Sequence, residues 1–164
     1  MDWEEQFEAG FEYEIQTEGM RQGAEARVYI CTYLGRPAIM KERWALAETL
    51  ELGKAIGEAV GRMHFSNLIH GDLTTSNVIL KHGDFKRPYF IDFGLCALGK
   101  ISPEDKGVDL YVLERAMIST HVNSEEMFKS VLEGYKSINQ KQGIAVLKKL
   151  DEIRLRGRKR DMTG

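Results

Sequence analysis

The sequence has few cysteines and no long apolar run, and each absence excludes a class of protein. Two of its 164 residues are cysteine, Cys31 and Cys96, with no CxxC pair, which excludes a disulfide scaffold and a cysteine zinc site. No segment approaches the ~20 consecutive apolar residues of a membrane-spanning helix. Residues 1–5 also lack the basic and apolar regions of a secretory signal. We therefore expect a protein of a reducing compartment that does not span a membrane.

An excess of charge of one sign is also missing. The 23 basic and 25 acidic side chains give a formal net charge of −2, which argues against nucleic-acid binding by the whole surface. The dense basic run is confined to 154–160, where five of seven residues are cationic. A hydrophobic content of 43% is too high for a disordered chain, and the length suits one domain with a small additional lobe.

Residue patterns predict strands first and helices later. β-branched and aromatic runs predict strands over 14–18, 28–33 and 37–41. Apolar residues at a spacing of three to four predict a helix over 45–63. Short extended runs follow at 68–70, 78–80 and 89–92, and then helices at 108–120, 124–137 and 142–155. We expect an α+β fold with a leader over 1–12, a β-rich lobe over 13–44 and a helical lobe over 45–164.

Three segments carry polar residues that suit phosphoryl transfer. They are His70–Asn77, which begins His-Gly-Asp, the tripeptide Asp92-Phe93-Gly94, and Lys41 at the end of a predicted strand. Each has an unremarkable structural interpretation alone. Their order, and the apolar runs that flank both loops, together match the protein-kinase signature.

The chemistry of the side chains assigns a role to each candidate. Asp72 can orient an attacking hydroxyl or accept its proton, and Asn77 and Asp92 offer the oxygen ligands that Mg²⁺ prefers. Lys41 supplies a point charge for the phosphates of ATP. His70 is expected to orient the loop, and Asp109 to hydrogen-bond its backbone.

Several features depart from the usual kinase pattern. Gly71 stands where most protein kinases have an arginine, and Gln22–Ala26 has one glycine where a GxGxxG loop belongs. No Ala-Pro-Glu follows Asp92, so the segment that docks peptide substrates is nearly missing from the sequence. Cys96, after Asp-Phe-Gly, is expected to be a small buried residue.

Whole motifs in the sequence resemble the atypical, RIO-like Ser/Thr kinase subunits of the EKC/KEOPS complex. The resemblance covers 20–44 and 53–164. The segments that carry it are Gln22–Ala26, His70–Asn77, Glu104–Glu114, Ser119–His121 and Arg156–Arg160. It implies a minimal protein-kinase-like fold, with a small N-lobe and a helical C-lobe. It also implies Mg-ATP binding, Ser/Thr kinase or ATPase activity, and a role in tRNA N6-threonylcarbamoyladenosine modification.

The resemblance also implies sites, partners and a location. Nucleotide contacts fall on Gln22, Gly23, Ala24, Glu25 and Lys41, and the catalytic and metal roles remain with Asp72, Asn77 and Asp92. The basic tail belongs to the family, and its charge favours tRNA contact through Arg156, Arg158, Lys159 and Arg160. The expected partners are a threonylcarbamoyl-transferase subunit, a small regulatory subunit and tRNA, in the cytoplasm and nucleus.

The middle of the expected N-lobe is missing. Only about 20 residues separate Lys41 from His64, enough for one helix, whereas kinases place there a glutamate-bearing helix, two strands and the adenine-binding hinge. Glu48 and Glu51 are the remaining candidates to pair with Lys41. We therefore expect much-reduced ATP affinity.

Two alternative functions remain open. One is a catalytically impaired, truncated form that acts as a partner-binding module through its helical half. The other is a small-molecule phosphotransferase of the aminoglycoside or choline type, which shares the His-Gly-Asp and Asn loop. Those enzymes often have a histidine where this chain has Thr74, and they carry a long acidic C-terminal lobe.

Overall fold

The computed structural model describes residues 13–22, 26–33, 35–43, 45–81, 84–120 and 124–161. The chain divides into two compact units, Met1–Trp44 and Ala45–Gly164. The proposed leader over 1–12 lies outside the described residues. Within the described part, no helix has the length and apolar character needed to cross a membrane.

The N-terminal unit contains an antiparallel sheet in the order β1-β2-β3. Its strands are β1 (Tyr13–Gln22), β2 (Ala26–Tyr33) and β3 (Arg36–Arg43). Strands β2 and β3 pair without interruption, whereas the register between β1 and β2 shifts between Gln16 and Arg21. All three predicted strands are present, and each is longer than its apolar core because backbone pairing continues into the polar flanks.

Four helices build the described part of the C-terminal unit. They are α1 (Leu46–Phe65), α2 (Pro103–Thr120), α3 (Ser124–Ile138) and α4 (Gln140–Asp161). Their apolar faces supply a common core that includes Leu52, Ile56, Val60, Leu110, Leu113, Met117, Val131, Leu150 and Tyr135. Burial of these side chains is the main favourable contribution to the stability of this unit.

Helices α1 and α3 pack with their backbones in close approach. A Cβ atom on Gly57 would lie 1.9 Å from the carbonyl oxygen of Val131. Conversely, a Cβ atom on Gly134 would lie 2.2 Å from the carbonyl oxygen of Lys54. Glycine is therefore required on both sides of this contact.

Two short strand pairs carry the polar loops. Strand β4 (Leu68–Ile69) pairs with β7 (Ala97–Leu98), and β5 (Val78–Leu80) pairs with β6 (Pro88–Phe90), both antiparallel. A 3₁₀ turn at Thr75–Asn77 leads into β5. The two pairings fix both ends of the loop over 70–77 and of the segment over 91–96.

Among the boundaries that differ from the sequence expectations, three bear on the site or the basic run. The strand predicted over 89–92 ends at Phe90, because Asp92 has a left-handed backbone with φ of 61°. Helix α2 begins at Pro103 and not at 108, because the Ser102 hydroxyl accepts the Asp105 N–H while the Asp105 carboxylate accepts the Ser102 N–H. Helix α4 continues to Asp161, so the basic run is helical.

Candidate active site

The loop at 70–77 is held by a buried carboxylate on α2. The backbone N–H of His70 donates to Oδ2 of Asp109 over 2.7 Å, and that of Gly71 donates to Oδ1 over 2.9 Å. Asp109 is only 3% exposed. Hydrogen bonds to a buried carboxylate are stronger than those to neutral acceptors. The sequence expectation that Asp109 binds the backbone of this loop is confirmed.

Two further buried side chains support Asp109. His64 of α1 lies with Nε2 3.1 Å from Oδ2 of Asp109 and with Nδ1 3.0 Å from the hydroxyl of Tyr135 on α3. Burial lowers the pKa of His64 below its ordinary value of 6.5, although Asp109 opposes this effect. The neutral ring therefore donates Nε2–H to Asp109 and accepts the Tyr135 hydroxyl at Nδ1.

Sequence reasoning missed His64 and Tyr135 as site residues. A signal for His64 was present, because it follows Val60 by four residues and so lies on the apolar stripe of α1, where a polar side chain needs a buried partner. Tyr135 is 71 residues further along the chain, and its pairing with His64 is a tertiary contact that no local pattern reports.

Gly71 has a structural reason for replacing the kinase arginine. Its backbone is left-handed, with φ of 82°, and a Cβ atom would lie 2.1 Å from the carbonyl oxygen of Leu95. A side chain at this position would therefore meet both backbone strain and a steric clash. The glycine allows the loop to lie directly against the segment that follows Asp-Phe-Gly.

His70 links the loop to the Asp-Phe-Gly tripeptide and to the residue before it. Its buried ring donates Nε2–H to the carbonyl oxygen of Ile91 over 2.9 Å, and its ring centroid lies 4.7 Å from that of Phe93. The Asp72 N–H points to Nδ1 of His70 over 3.4 Å. These contacts agree with the expected orienting role.

Asp72 and Asn77 are in direct contact. The Asn77 Nδ2 group donates to the backbone oxygen of Asp72 over 2.9 Å and to its carboxylate Oδ2 over 3.2 Å. This pairing fixes the orientation of the amide. Among the described residues, none donates a hydrogen bond to Asn77 Oδ1, which therefore remains available as a ligand.

Asp92 lies at the same end of the β5–β6 pair. The Ile91 N–H donates to the carbonyl oxygen of Asn77 over 3.0 Å, so Asp92 follows the residue that pairs with Asn77. Asp92 is exposed, and its Oδ1 accepts the Gly94 N–H over 3.4 Å. The described part of the chain has no group of three or more His, Cys, Asp or Glu side chains that could hold a metal. The candidate metal ligands are the Asp92 carboxylate and the Asn77 amide oxygen, and Asp72 is the candidate catalytic residue.

The candidate nucleotide contacts lie in the N-terminal unit. Gln22 is the last residue of β1, and Lys41 pairs with Val28 in the β2–β3 ladder. Gly23, Ala24 and Glu25 lie outside the described residues, and no side-chain position is described for Lys41.

The two glutamates considered for Lys41 have other partners. The Glu48 carboxylate accepts the Ala45 N–H over 3.0 Å and so caps α1, and Glu51 lies 3.5 Å from the Lys86 ammonium. Strand β3 ends at Arg43 and α1 begins at Leu46, so in the described residues of this stretch no other element separates the two.

The basic tail is partly paired with acidic residues. Arg154 binds both carboxylate oxygens of Glu114, and Arg156 donates to Glu104 over 2.7 Å from a side chain that is 60% exposed. The side chains of Arg158, Lys159 and Arg160 lie outside the described residues.

Cys96 is exposed, so the expectation that it is buried is wrong, because 91–100 lies at the surface throughout.

Comparison with known proteins supports the kinase interpretation. A model described as the lipopolysaccharide kinase (Kdo/WaaP) family matches residues 37–135, more than half of the chain. The EKC/KEOPS complex subunit Tp53rkb of Mus musculus is 50% identical over 121 residues, which cover 70% of this chain and 47% of the relative.

Fungal relatives give the same result. The EKC/KEOPS complex subunit BUD32 of Yarrowia lipolytica is 46% identical over 121 residues, which cover 73% of this chain and 46% of the relative. The subunit BUD32 of Chaetomium globosum is 42% identical over 164 residues, which cover 87% of this chain and 61% of the relative. The chain thus spans about half the length of the curated relatives it matches.

The resemblance to EKC/KEOPS kinase subunits is confirmed by these relatives, and the α+β, kinase-like fold class is confirmed by the family model and the structure. From the matched family model, together with the anchored loop that carries Asp72 and Asn77, we conclude that this chain belongs to the lipopolysaccharide kinase (Kdo/WaaP) family.

Proposed function

We propose that this chain is a Mg-ATP-dependent Ser/Thr kinase or ATPase subunit of the EKC/KEOPS type. The observation that carries this proposal is the loop anchored by Asp109, in which Asn77 donates a hydrogen bond to Asp72. Asp92 lies at the same end of the β5–β6 pair as Asn77. Positioning and charge compensation are the main requirements of phosphoryl transfer, and this arrangement suits both.

The residues present fit a magnesium ion. Asn77 keeps its Oδ1 available because its Nδ2 is committed to Asp72, and Asp92 presents a carboxylate from a left-handed backbone position. Hard oxygen ligands, few in number, suit Mg²⁺, which retains several waters. When held by Asn77 and Asp92, the ion would supply positive charge that compensates the negative charge of the phosphates.

Asp72 is the proposed catalytic residue. Its Oδ2 accepts the Asn77 amide, which fixes the plane of the carboxylate and leaves Oδ1 to accept the proton of an attacking hydroxyl. The half-buried position of Asp72 strengthens its electrostatic interactions relative to those in bulk water.

We assign the nucleotide contacts to the N-terminal unit. Lys41 would bind the phosphates of ATP. The backbone of 22–25 would lie against the same phosphates, with Gly23 as the one position that has no side chain in the way. The direct succession of β3 and α1 leaves no room for a hinge between them, so we expect weaker ATP binding than in a complete kinase lobe.

We also propose contacts with partners. The relatives are named as EKC/KEOPS subunits, so we infer docking to a threonylcarbamoyl-transferase subunit and a small regulatory subunit, and a role in the tRNA modification. Contact with tRNA would use Arg156, Arg158, Lys159 and Arg160, and the exposed Arg156–Glu104 pair would have to exchange for a phosphate. The proposed location is the cytoplasm and nucleus.

The test is Mg-dependent ATP turnover by Asp92→Asn. Asparagine tolerates a left-handed backbone as well as aspartate does, so this change removes the charge without adding strain. We expect a loss of about 100-fold or more, the typical cost of removing one electrostatic contact to the transition state.

The matched control for this test is Asp84→Asn. Asp84 is exposed and accepts the N–H of the residue two positions on, as Asp92 does. Unchanged turnover in Asp92→Asn, or an equal loss in Asp84→Asn, would refute the metal assignment.

A further inference from the structure

We propose that Tyr135 is a positioning residue for the catalytic loop and acts on it through His64 and Asp109. This inference rests on the proposed function, because it assigns the loop a role in phosphoryl transfer. The contacts run from the Tyr135 hydroxyl to His64 Nδ1, from His64 Nε2 to Asp109 Oδ2, and from the Asp109 carboxylate to the loop backbone.

The ring of Tyr135 and its hydroxyl have separate roles. The ring packs against Phe65 with centroids 5.1 Å apart and meets the His64 ring edge-on at 5.5 Å. A phenylalanine would keep both contacts. The hydroxyl has one hydrogen-bond partner among the described residues, His64 Nδ1. Its contribution is therefore polar and directed at His64.

The Tyr135 hydroxyl stabilises one state of the His64 ring, the state that Asp109 also requires. Burial raises the pKa of Tyr135, so the hydroxyl keeps its proton; because the Asp109 carboxylate can only accept from Nε2–H, the neutral ring has a lone pair at Nδ1, to which the hydroxyl donates. A neutral histidine that accepts at Nδ1 must carry its proton on Nε2, the nitrogen that faces Asp109. The other charged group near this ring, Lys106 of α2, lies over the Phe65 ring and disfavours a second proton on His64.

The orientation of Asp109 depends on this ring state. Its Oδ2 accepts both His64 Nε2–H and the His70 N–H, while Oδ1 accepts the Gly71 N–H. If Nε2 lost its proton or the ring turned, a lone pair would face Oδ2. The Asp109 carboxylate would then rotate and lose its hydrogen bonds to His70 and Gly71, the two residues that precede Asp72.

The test uses the full chain with Tyr135→Phe, and Tyr111→Phe as the matched control. Tyr111 lies on α2 and makes no hydrogen bond within the described part of the chain. Native-state amide exchange is measured at His70 and Gly71 and, as core references, at Leu113 and Val131. We expect about 10-fold faster exchange at His70 and Gly71, the factor expected from one net hydrogen bond, with the references unchanged. Equal acceleration at all four amides, or none, would overturn the proposal.

Catalysis supplies a second readout. In Tyr135→Phe we expect kcat for ATP turnover to fall about 10-fold with an unchanged KM, because positioning is lost and not binding. Faster exchange with an unchanged kcat would refute the positioning role. If the wild-type chain has no turnover, the proposed function fails, while the exchange experiment still decides whether Tyr135 holds the loop.

One measurement needs no variant. The nitrogen chemical shifts of the His64 ring in the wild-type chain report which nitrogen carries the proton. The inference requires a neutral ring protonated at Nε2. A ring protonated at Nδ1, or at both nitrogens at neutral pH, would overturn it even if Tyr135→Phe did not fold.

Discussion

The close approach of α1 and α3 makes Gly57→Ala a sharp test of how the core positions the site. The new Cβ would lie 1.9 Å from the Val131 carbonyl oxygen and 2.9 Å from the Tyr135 backbone nitrogen. To reach even the 3.0 Å limit that real Cβ atoms respect, α3 must retreat by about 1.1 Å. The same retreat moves Tyr135 away from His64.

The expected cost follows from that displacement. A gap of 0.5 to 1 Å already forfeits roughly a quarter to a half of the dispersion attraction across a packed face. Overpacking costs about 1 to 3 kcal/mol or more, and the better helix propensity of alanine offsets about 1 kcal/mol. We expect a net loss of about 2 kcal/mol from a total of the order of 5 to 15 kcal/mol.

Urea unfolding followed by helical circular dichroism measures this loss. The control is Gly61→Ala on the same face of α1, where the nearest atoms to the new Cβ are Cγ1 of Ile138 at 3.1 Å and the Tyr135 carbonyl oxygen at 3.2 Å, so α3 need not retreat. We expect Gly61→Ala to stay within about 1 kcal/mol of wild type. Equal stability of the two variants would refute the backbone-contact argument.

Two further predictions concern charge. The pKa of His64 is lowered on folding, so its contribution to the free energy of unfolding is fully present above about pH 6.5 and is lost as the pH falls through the folded-state pKa. The free energy of unfolding in urea should therefore depend less on pH in His64→Gln than in wild type. Identical pH profiles for the two proteins would contradict this prediction. Replacing the four tail cations with glutamine should weaken tRNA binding and reduce the slope of log binding constant against log salt concentration by up to about 3 to 4. The control Lys141→Gln/Lys148→Gln, also on α4, should change this slope by no more than about 2. Equal slopes for wild type and the tail variant would contradict tRNA contact.

Much of the fold follows from local patterns. Runs of β-branched and aromatic residues predicted the three long strands, and three-to-four spacing of apolar residues predicted the first long helix. The boundaries that differed depend on interactions between residues, such as the Ser102–Asp105 cap and the left-handed Asp92. Strand β7 has two residues and exists only because it pairs with β4, so no local pattern could indicate it.

The site was less accessible to sequence reasoning than the fold. The motif spacing correctly paired Asp109 with the loop, and Asp72 and Asn77 are in contact. The steric reason for Gly71 is the Leu95 carbonyl, 24 positions away, and the support of Asp109 comes from two other helices. These contacts are tertiary, so only the folded chain reveals them.

Calorimetric titration with ATP, with and without Mg²⁺, measures whether Asn77 and Asp92 hold a metal ion that binds the nucleotide. If Asn77 and Asp92 hold the ion that binds the phosphates, wild-type chain should bind ATP weakly and only with Mg²⁺, and Asp92→Asn should abolish that heat while Asp84→Asn preserves it. Binding that is independent of Mg²⁺, or equal in wild type and Asp92→Asn, would contradict the account.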